Sequence, residues 1–130
     1  MSDKNTPVYG KRTLIVGASP TRYGYAALAY DLLREYQHEV VLLGKQTGTF
    51  EGTEILDIHD NPSIPGIDTI TLYINPGNQE PWLDYLVGLN PSRIIFNPGT
   101  ENTVLKKMAE EKGIETVYGC TLVMLRVGLY

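Results

Sequence analysis

The chain has one cysteine, Cys120, in 130 residues, so no intrachain disulfide can form and a reducing cytoplasm is the expected setting. No apolar run approaches the roughly 18 residues of a membrane span. Residues 1–7 are polar and lack the apolar stretch of a secretory signal. Excess positive charge is also missing. Eleven Lys and Arg against 15 Asp and Glu leave a net charge of −4, which argues against general affinity for nucleic acid or an anionic membrane. Any anion must therefore be held by local geometry. The only two histidines, His38 and His59, belong to no cluster with metal-ligand spacing, so no metal site is expected. Both are expected at the surface.

The 42% of hydrophobic residues suits a soluble globular protein. After a polar tail over residues 1–10, a single domain is expected over 11–130. Five short runs rich in Val, Ile and Leu, at 13–16, 40–43, 69–74, 93–96 and 116–118, read as parallel strands covered on both faces. Helical spacing of Leu28, Ala29, Leu32, Leu33 and Tyr36 predicts a helix over about 25–36. A second begins near Pro81 and buries Leu83, Leu86 and Val87. A third covers about 101–112 and stops at Gly113. Residues 46–66 are irregular, with room for a short strand at 53–56. This alternation predicts an α/β fold: a Rossmann-like, doubly wound, parallel five-stranded sheet in the order 3-2-1-4-5.

Every expected strand ends in turn residues: Gly17, Gly44, Asn75-Pro76-Gly77, Asn97-Pro98-Gly99 and Gly119. All would lie on the carboxyl edge of the sheet, where such folds bind ligands. The strand Thr13-Leu14-Ile15-Val16 runs straight into Gly17-Ala18-Ser19 and then a helix, the arrangement that seats a phosphate. This is not G-x-G-x-x-G, because Ser19 stands where the second glycine belongs. An ordinary βα turn remains the alternative. After the second strand, where an NAD site places an acid on the ribose, the chain has Gly44-Lys45. A cation there suits a ribose that carries a phosphate; a solvated loop lysine is the other reading. A Walker A motif is excluded, since Glu39 replaces its first glycine and Gln46 its Ser or Thr. Ser19 is no hydrolase elbow, because Thr21 stands where the second glycine is required. Tyr23, Tyr25 and Phe50 lie in or beside the first two turns and serve either as packing or as a platform for a base. Cys120 is read as a buried, inert thiol, with a thiol near the ligand, where the strand ends converge, as the other reading.

Taken in this order, these residues resemble the CoA-binding domain family related to the N-terminal domain of the succinyl-CoA synthetase α subunit, from Lys11 to about Arg126. Gly17-Ala18-Ser19 is similar to that family's first turn, which cradles the CoA phosphates. Gly44-Lys45 resembles the loop whose lysine approaches the nucleotide end. Tyr73-Ile74-Asn75-Pro76 and Phe96-Asn97-Pro98-Gly99 occupy the places of the turns beside the ligand, and Gly119-Cys120 matches a cysteine of small stand-alone members. The resemblance implies non-catalytic binding of coenzyme A or an acyl-CoA, with contacts from Gly17, Ala18, Ser19, Tyr23, Gly44, Lys45, Asn75, Pro76, Asn97, Pro98 and Gly99 and no catalytic residue. The synthetase's second domain, with its phosphorylated histidine, has no counterpart in these 130 residues. Two other readings stay open: an NADP-binding protein or small reductase, and a nucleotide-sensing module that shifts a protein partner not identifiable from the sequence.

Overall fold

A computed structural model describes residues 10–21 and 24–130. Tyr23 and the polar tail before Gly10 lie outside the described residues. The chain runs β1 (Thr13–Val16), α1 (Tyr25–Glu35), β2 (Val40–Gly44), β3 (Gly48–Phe50), β4 (Thr53–Asp57), β5 (Thr69–Leu72), α2 (Pro76–Gln79), α3 (Leu83–Gly88), β6 (Arg93–Phe96), α4 (Thr103–Glu111), β7 (Glu115–Tyr118) and α5 (Thr121–Arg126). Single 3-10 turns at Ile58–Asp60 and Glu80–Trp82 complete it.

The sheet has seven strands in the order β3-β4-β2-β1-β5-β6-β7. All neighbours are parallel except β3, which pairs antiparallel with β4. The expected five strands in the order 3-2-1-4-5 are thus corrected. That order would put the strand at 69–74 beside β2, but β5 pairs with β1, Thr13 opposite Thr69. The place beside β2 belongs to β4, Leu42 opposite Ile55. The two are reconciled once β4 is counted as the third parallel strand.

Alternation along the strands divides the core between two faces. Leu14, Val16, Leu43, Ile70, Leu72, Ile94 and Phe96 pack with Leu86 and Val87 of α3 and Leu105 and Ala109 of α4. Ile15, Leu42, Ile55 and Ile95 face the other way, against Ala27, Ala29, Tyr30 and Leu33 of α1 and Leu125 of α5. With helices on both faces, the sheet is doubly wound. On α1 the buried stripe is rotated from the expected one. Leu28 and Tyr36 are 53% and 41% exposed, whereas Ala27 and Tyr30 are buried. The small Ala27 lets the helix come close to the sheet. The Tyr30 ring packs edge-on against Phe50 at 5.0 Å, and its hydroxyl reaches Thr53 Oγ1 at 2.7 Å.

His38 departs from the surface placement expected of it. It is 3% exposed at the amino edge of the sheet, where its Nδ1 accepts from the Lys11 N–H at 3.1 Å and its ring lies 4.9 Å from that of Tyr130. Burial, then the charges of Lys11 and Arg93, lower its pKa, so it is held neutral as a packing group far from the carboxyl edge. His59 is exposed as expected, paired with Asp57 at 2.7 Å and set edge-on to Trp82.

Candidate functional site

The turn after β1 is shaped by its neighbours. Gly17 leaves the strand at φ +110°, and a Cβ there would meet Ile74 Cγ2 at 3.0 Å and the Tyr73 carbonyl at 3.1 Å. The next residue, Ala18, lays its carbonyl oxygen directly over the position a Cβ would take on Gly44. Both glycines therefore have steric reasons: they let the turn tuck between the ends of β2 and β5. The N–H groups of Gly17 and Ala18 donate to the Leu43 carbonyl at 2.9 and 3.1 Å. The Ala18 amide, expected to face a phosphate, is thus turned to β2.

Above this turn stands the amino end of α1. Its N-cap is Gly24, at φ +98°, with no side-chain cap and no acidic residue in the first turn. The N–H groups of a helix's first turn lack intrahelical acceptors, and the dipole places positive potential there. The uncapped end opens onto a cavity of about 410 Å³ at the carboxyl edge of the sheet. Gly17, Ala18, Ser19, Thr21, Gly24, Tyr25, Ala26 and Ala27 form one wall, with Tyr30, Leu42 and Phe50 below. Tyr73, Asn75, Pro98, Gly99 and Thr100 close the far side. None of these described lining residues carries a formal charge at neutral pH.

The far side is braced from beneath. Gln79, fully buried in α2, donates through Nε2 to the carbonyls of Ile74 and Thr100, and its Oε1 accepts from Asn102 Nδ2 at 2.9 Å. Asn102 in turn caps α4 through the N–H groups of Val104 and Leu105. Asn75 caps α2 by accepting from the Asn78 N–H. At the rim, the Glu101 carboxylate accepts from the Gly99 N–H at 2.9 Å.

Of the expected contact residues, Gly17, Ala18, Ser19, Asn75, Pro98 and Gly99 line the cavity. Gly44 lies buried under Ala18, and Pro76 opens α2. Lys45 is exposed, its ammonium 5.6 Å from the centre of the Trp82 ring, outside the described cavity wall. Asn97 is 3% exposed and spends its amide internally. Thr21 and Thr100 also line the cavity and were not among the expected contacts, whereas the first turn of the helix after β1 was part of the expected phosphate seat. Gly24 ahead of an apolar stripe was the available signal for the helix end. Tyr25, left open between packing and ligand, is 70% exposed on the wall; Phe50 packs.

Tyr73 carries the largest electrostatic perturbation on the wall. The hydroxyls of Thr71 and Thr121 lie beside it but bond each other at 2.8 Å, and Tyr73 Oη is left buried without a partner. Burial pushes its pKa up to about 12. Its ring is therefore a neutral wall at any physiological pH. A phenol whose pKa is raised on folding stabilises the protein below the unfolded value near 10 and loses that contribution as pH rises toward 12. Tyr130 is shifted the same way, chiefly by burial. We expect stability to fall by about 2 kcal/mol between pH 10 and 12 on account of Tyr73. Tyr73→Phe removes an unpartnered hydroxyl, so it should be neutral or stabilising at pH 7 and should flatten the alkaline limb. Urea unfolding across that range measures both; a loss above 1 kcal/mol at pH 7 would mean that the hydroxyl has a partner.

Among the described residues no group of His, Cys, Asp and Glu is placed to hold a metal ion, and no helix is long and apolar enough to cross a membrane. A family model described as "CoA binding domain" matches residues 11–126. An uncharacterized protein of known crystal structure is 48% identical and superposes with a TM-score of 0.88, over 92% of this chain and 98% of its own. A hypothetical protein from Pyrococcus horikoshii OT3 (21% identity, TM-score 0.78, 92% and 84% covered) shares the fold. So does a protein from Thermus thermophilus (20%, 0.80, 93% and 91%). No curated protein matches the chain.

Proposed function

We propose that this chain, which belongs to the CoA-binding domain family, binds coenzyme A across the carboxyl edge of its sheet and does so without catalysing a reaction. One observation carries the reading: a cavity of about 410 Å³ opens onto the amino end of α1, whose N-cap Gly24 makes no side-chain cap bond, and its described lining residues are neutral. Such a site attracts a diphosphate through oriented dipoles. Ser19 and the first turn of α1 hold the diphosphate in this reading, with Gly17 and Ala18 as the wall beneath it, their N–H groups being committed to Leu43. Lys45, one strand over, takes the phosphate on the ribose, and the pantetheine arm runs along Tyr73, Asn75, Pro98 and Gly99. The titratable groups on the described wall are the phenols of Tyr25, Tyr30 and Tyr73, which favours binding over acid–base chemistry. A link to succinyl-CoA synthetase and a cytoplasmic setting belong to the same proposal. The NADP reading is favoured by one observation of its own: the parallel strands β1, β2, β4, β5, β6 and β7, counted in that order, follow the order of dinucleotide-binding sheets.

Titration calorimetry with CoA, dephospho-CoA, NADP and NAD decides between them. CoA should bind tightest, and loss of the ribose phosphate should weaken binding about tenfold or more, as for a charge-assisted contact. Lys45→Glu should erase that difference while moving stability by no more than about 0.5 kcal/mol, because the side chain is exposed. Tighter binding of NADP than of CoA would replace the proposal with its rival. Unchanged CoA affinity in Lys45→Glu would return the lysine to the solvated surface.

A further inference from the structure

A second chamber of about 210 Å³ opens beside the main cavity, lined by Tyr25, Tyr73, Asn97, Pro98, Cys120 and Leu122. Tyr25, Tyr73 and Pro98 line both spaces, so the two meet along a common wall. The chamber offers little to a polar guest. Both amide hydrogens of Asn97 are spent, on Thr71 Oγ1 at 2.7 Å and the Leu72 carbonyl at 2.9 Å, and its Oδ1 already accepts from the Thr121 N–H. Tyr73 turns its hydroxyl toward Thr71 and Thr121 and presents its ring. What remains is two aromatic rings, a proline, a leucine and a half-buried thiol. Its position follows from the strand order. The phosphate seat lies at the end of β1 and the chamber at the ends of β6 and β7, two to three strands away. At about 4.8 Å per strand that is roughly 10–14 Å, on the side away from Lys45.

We propose that this chamber receives the acyl group of a short-chain acyl thioester, which makes the protein a receptor for short acyl-CoA species in preference to free CoA. The inference rests on the CoA reading, because the thioester end reaches the chamber only if the diphosphate sits at β1 and α1. Size sets the chain length. At about 30 Å³ for a water-sized group, the chamber holds on the order of five to seven heavy atoms. That fits four or five carbons with their carbonyl and excludes a fatty chain. Each methylene taken out of water adds about fourfold to the affinity.

The test is a calorimetric series of free CoA, acetyl-CoA, butyryl-CoA and octanoyl-CoA on the intact chain, with Leu122→Trp as the variant that fills the chamber and Val123→Ala as a control on the exposed side of α5. Butyryl-CoA, with two more methylenes, should bind about fifteenfold tighter than acetyl-CoA, and octanoyl-CoA should gain nothing further. In Leu122→Trp the ratio of butyryl-CoA to free CoA should collapse to one or below, while Val123→Ala keeps the wild-type ratio. Circular dichroism establishes that the Leu122→Trp chain is folded, and Leu122→Phe, a smaller filling, should give an intermediate ratio. A flat series on the wild-type protein, with free CoA bound, would overturn the acyl inference alone. So would a rise continuing through octanoyl-CoA, which would mark an open greasy surface. If neither free CoA nor any thioester binds, the CoA reading itself fails and the inference falls with it.

Discussion

Gly44→Ala is expected to lower the melting temperature by roughly 10–15 °C, about 3 kcal/mol for a domain of this size, and to weaken CoA about tenfold or more. One methyl group does this because of where it would go. A Cβ on Gly44 falls on the carbonyl oxygen of Ala18, with the Ala18 carbonyl carbon only 3.1 Å away. The obstacle is backbone, so no rotamer change relieves it. Ala18 cannot retreat without breaking the two bonds that its own and the Gly17 N–H make to Leu43, and Gly17 is hemmed in by Tyr73 and Ile74 on the other side. The turn would have to lift into the cavity it borders. Gly88→Ala is the matched control. Gly88 ends α3, is exposed, and has nothing within 4 Å of its would-be Cβ, so the same methyl group there should be neutral or slightly stabilising. Differential scanning calorimetry on the two variants makes the comparison. A melting temperature for Gly44→Ala within about 2 °C of wild type would show that the β1 turn has slack.

Gly17 and Gly44 also show what the sequence could and could not reveal. The strand–glycine–helix pattern located the carboxyl-edge turn correctly, and β1 and β6 appear with the expected bounds. For Gly17 the sequence left a phosphate seat and an ordinary βα turn both open, and Gly44 stood only as the turn residue that ends its strand. Their steric reason involves Tyr73, Ile74 and Ala18, contacts that exist only once β2 and β5 flank β1, and no local pattern carries them. The error in strand order has a similar origin. β3 and β4 form an edge hairpin around Glu51-Gly52, both at positive φ, and β3 is only three residues long. Glu-Gly is a weaker hairpin signal than Asn-Gly, and the exposed Thr49 and Glu54 break the apolar run that marked the central strands. Leaving the possible strand at 53–56, which is β4, out of the sheet moved β5 to the wrong neighbour. For the site, a polar residue at a strand end reads the same whether its side chain faces a ligand or its own fold. Asn75 and Asn97 were indistinguishable in sequence, yet one lines the cavity and the other is buried beside it.

Asn97→Leu is accordingly expected to act on stability first and on ligand only through it, at a cost of about 2–5 kcal/mol. Asn97 sits just beyond β6, 3% exposed. Its Nδ2 bridges Thr71 Oγ1 and the Leu72 carbonyl of the neighbouring strand, and its Oδ1 accepts from the Thr121 N–H at 2.9 Å. The last bond is a cap supplied from a distance. The N-cap residue of α5, Cys120, makes no side-chain cap bond, so Asn97 satisfies one of that helix's orphan donors. Leucine has the same number and branching of side-chain heavy atoms and leaves no cavity, so the loss is chiefly polar, with crowding by its bulkier methyl groups adding to it. Thr71 keeps Thr121 Oγ1 as a partner at 2.8 Å, but the Leu72 carbonyl and the Thr121 N–H lose this buried partner, at about 1–3 kcal/mol each. Release of α5 should follow, and with it looser packing of Leu125 against the α1 face. Hydrogen exchange would show this as faster opening confined first to 121–126. Were Asn97 instead a ligand contact, the pattern would invert: CoA affinity would drop at an unchanged melting temperature, and exchange in α5 would stay at the wild-type rate. Asn75→Ala supplies the contrast. Asn75 is exposed and caps only the four-residue α2, so about 1 kcal/mol at most should be lost there, with any larger effect appearing in ligand affinity.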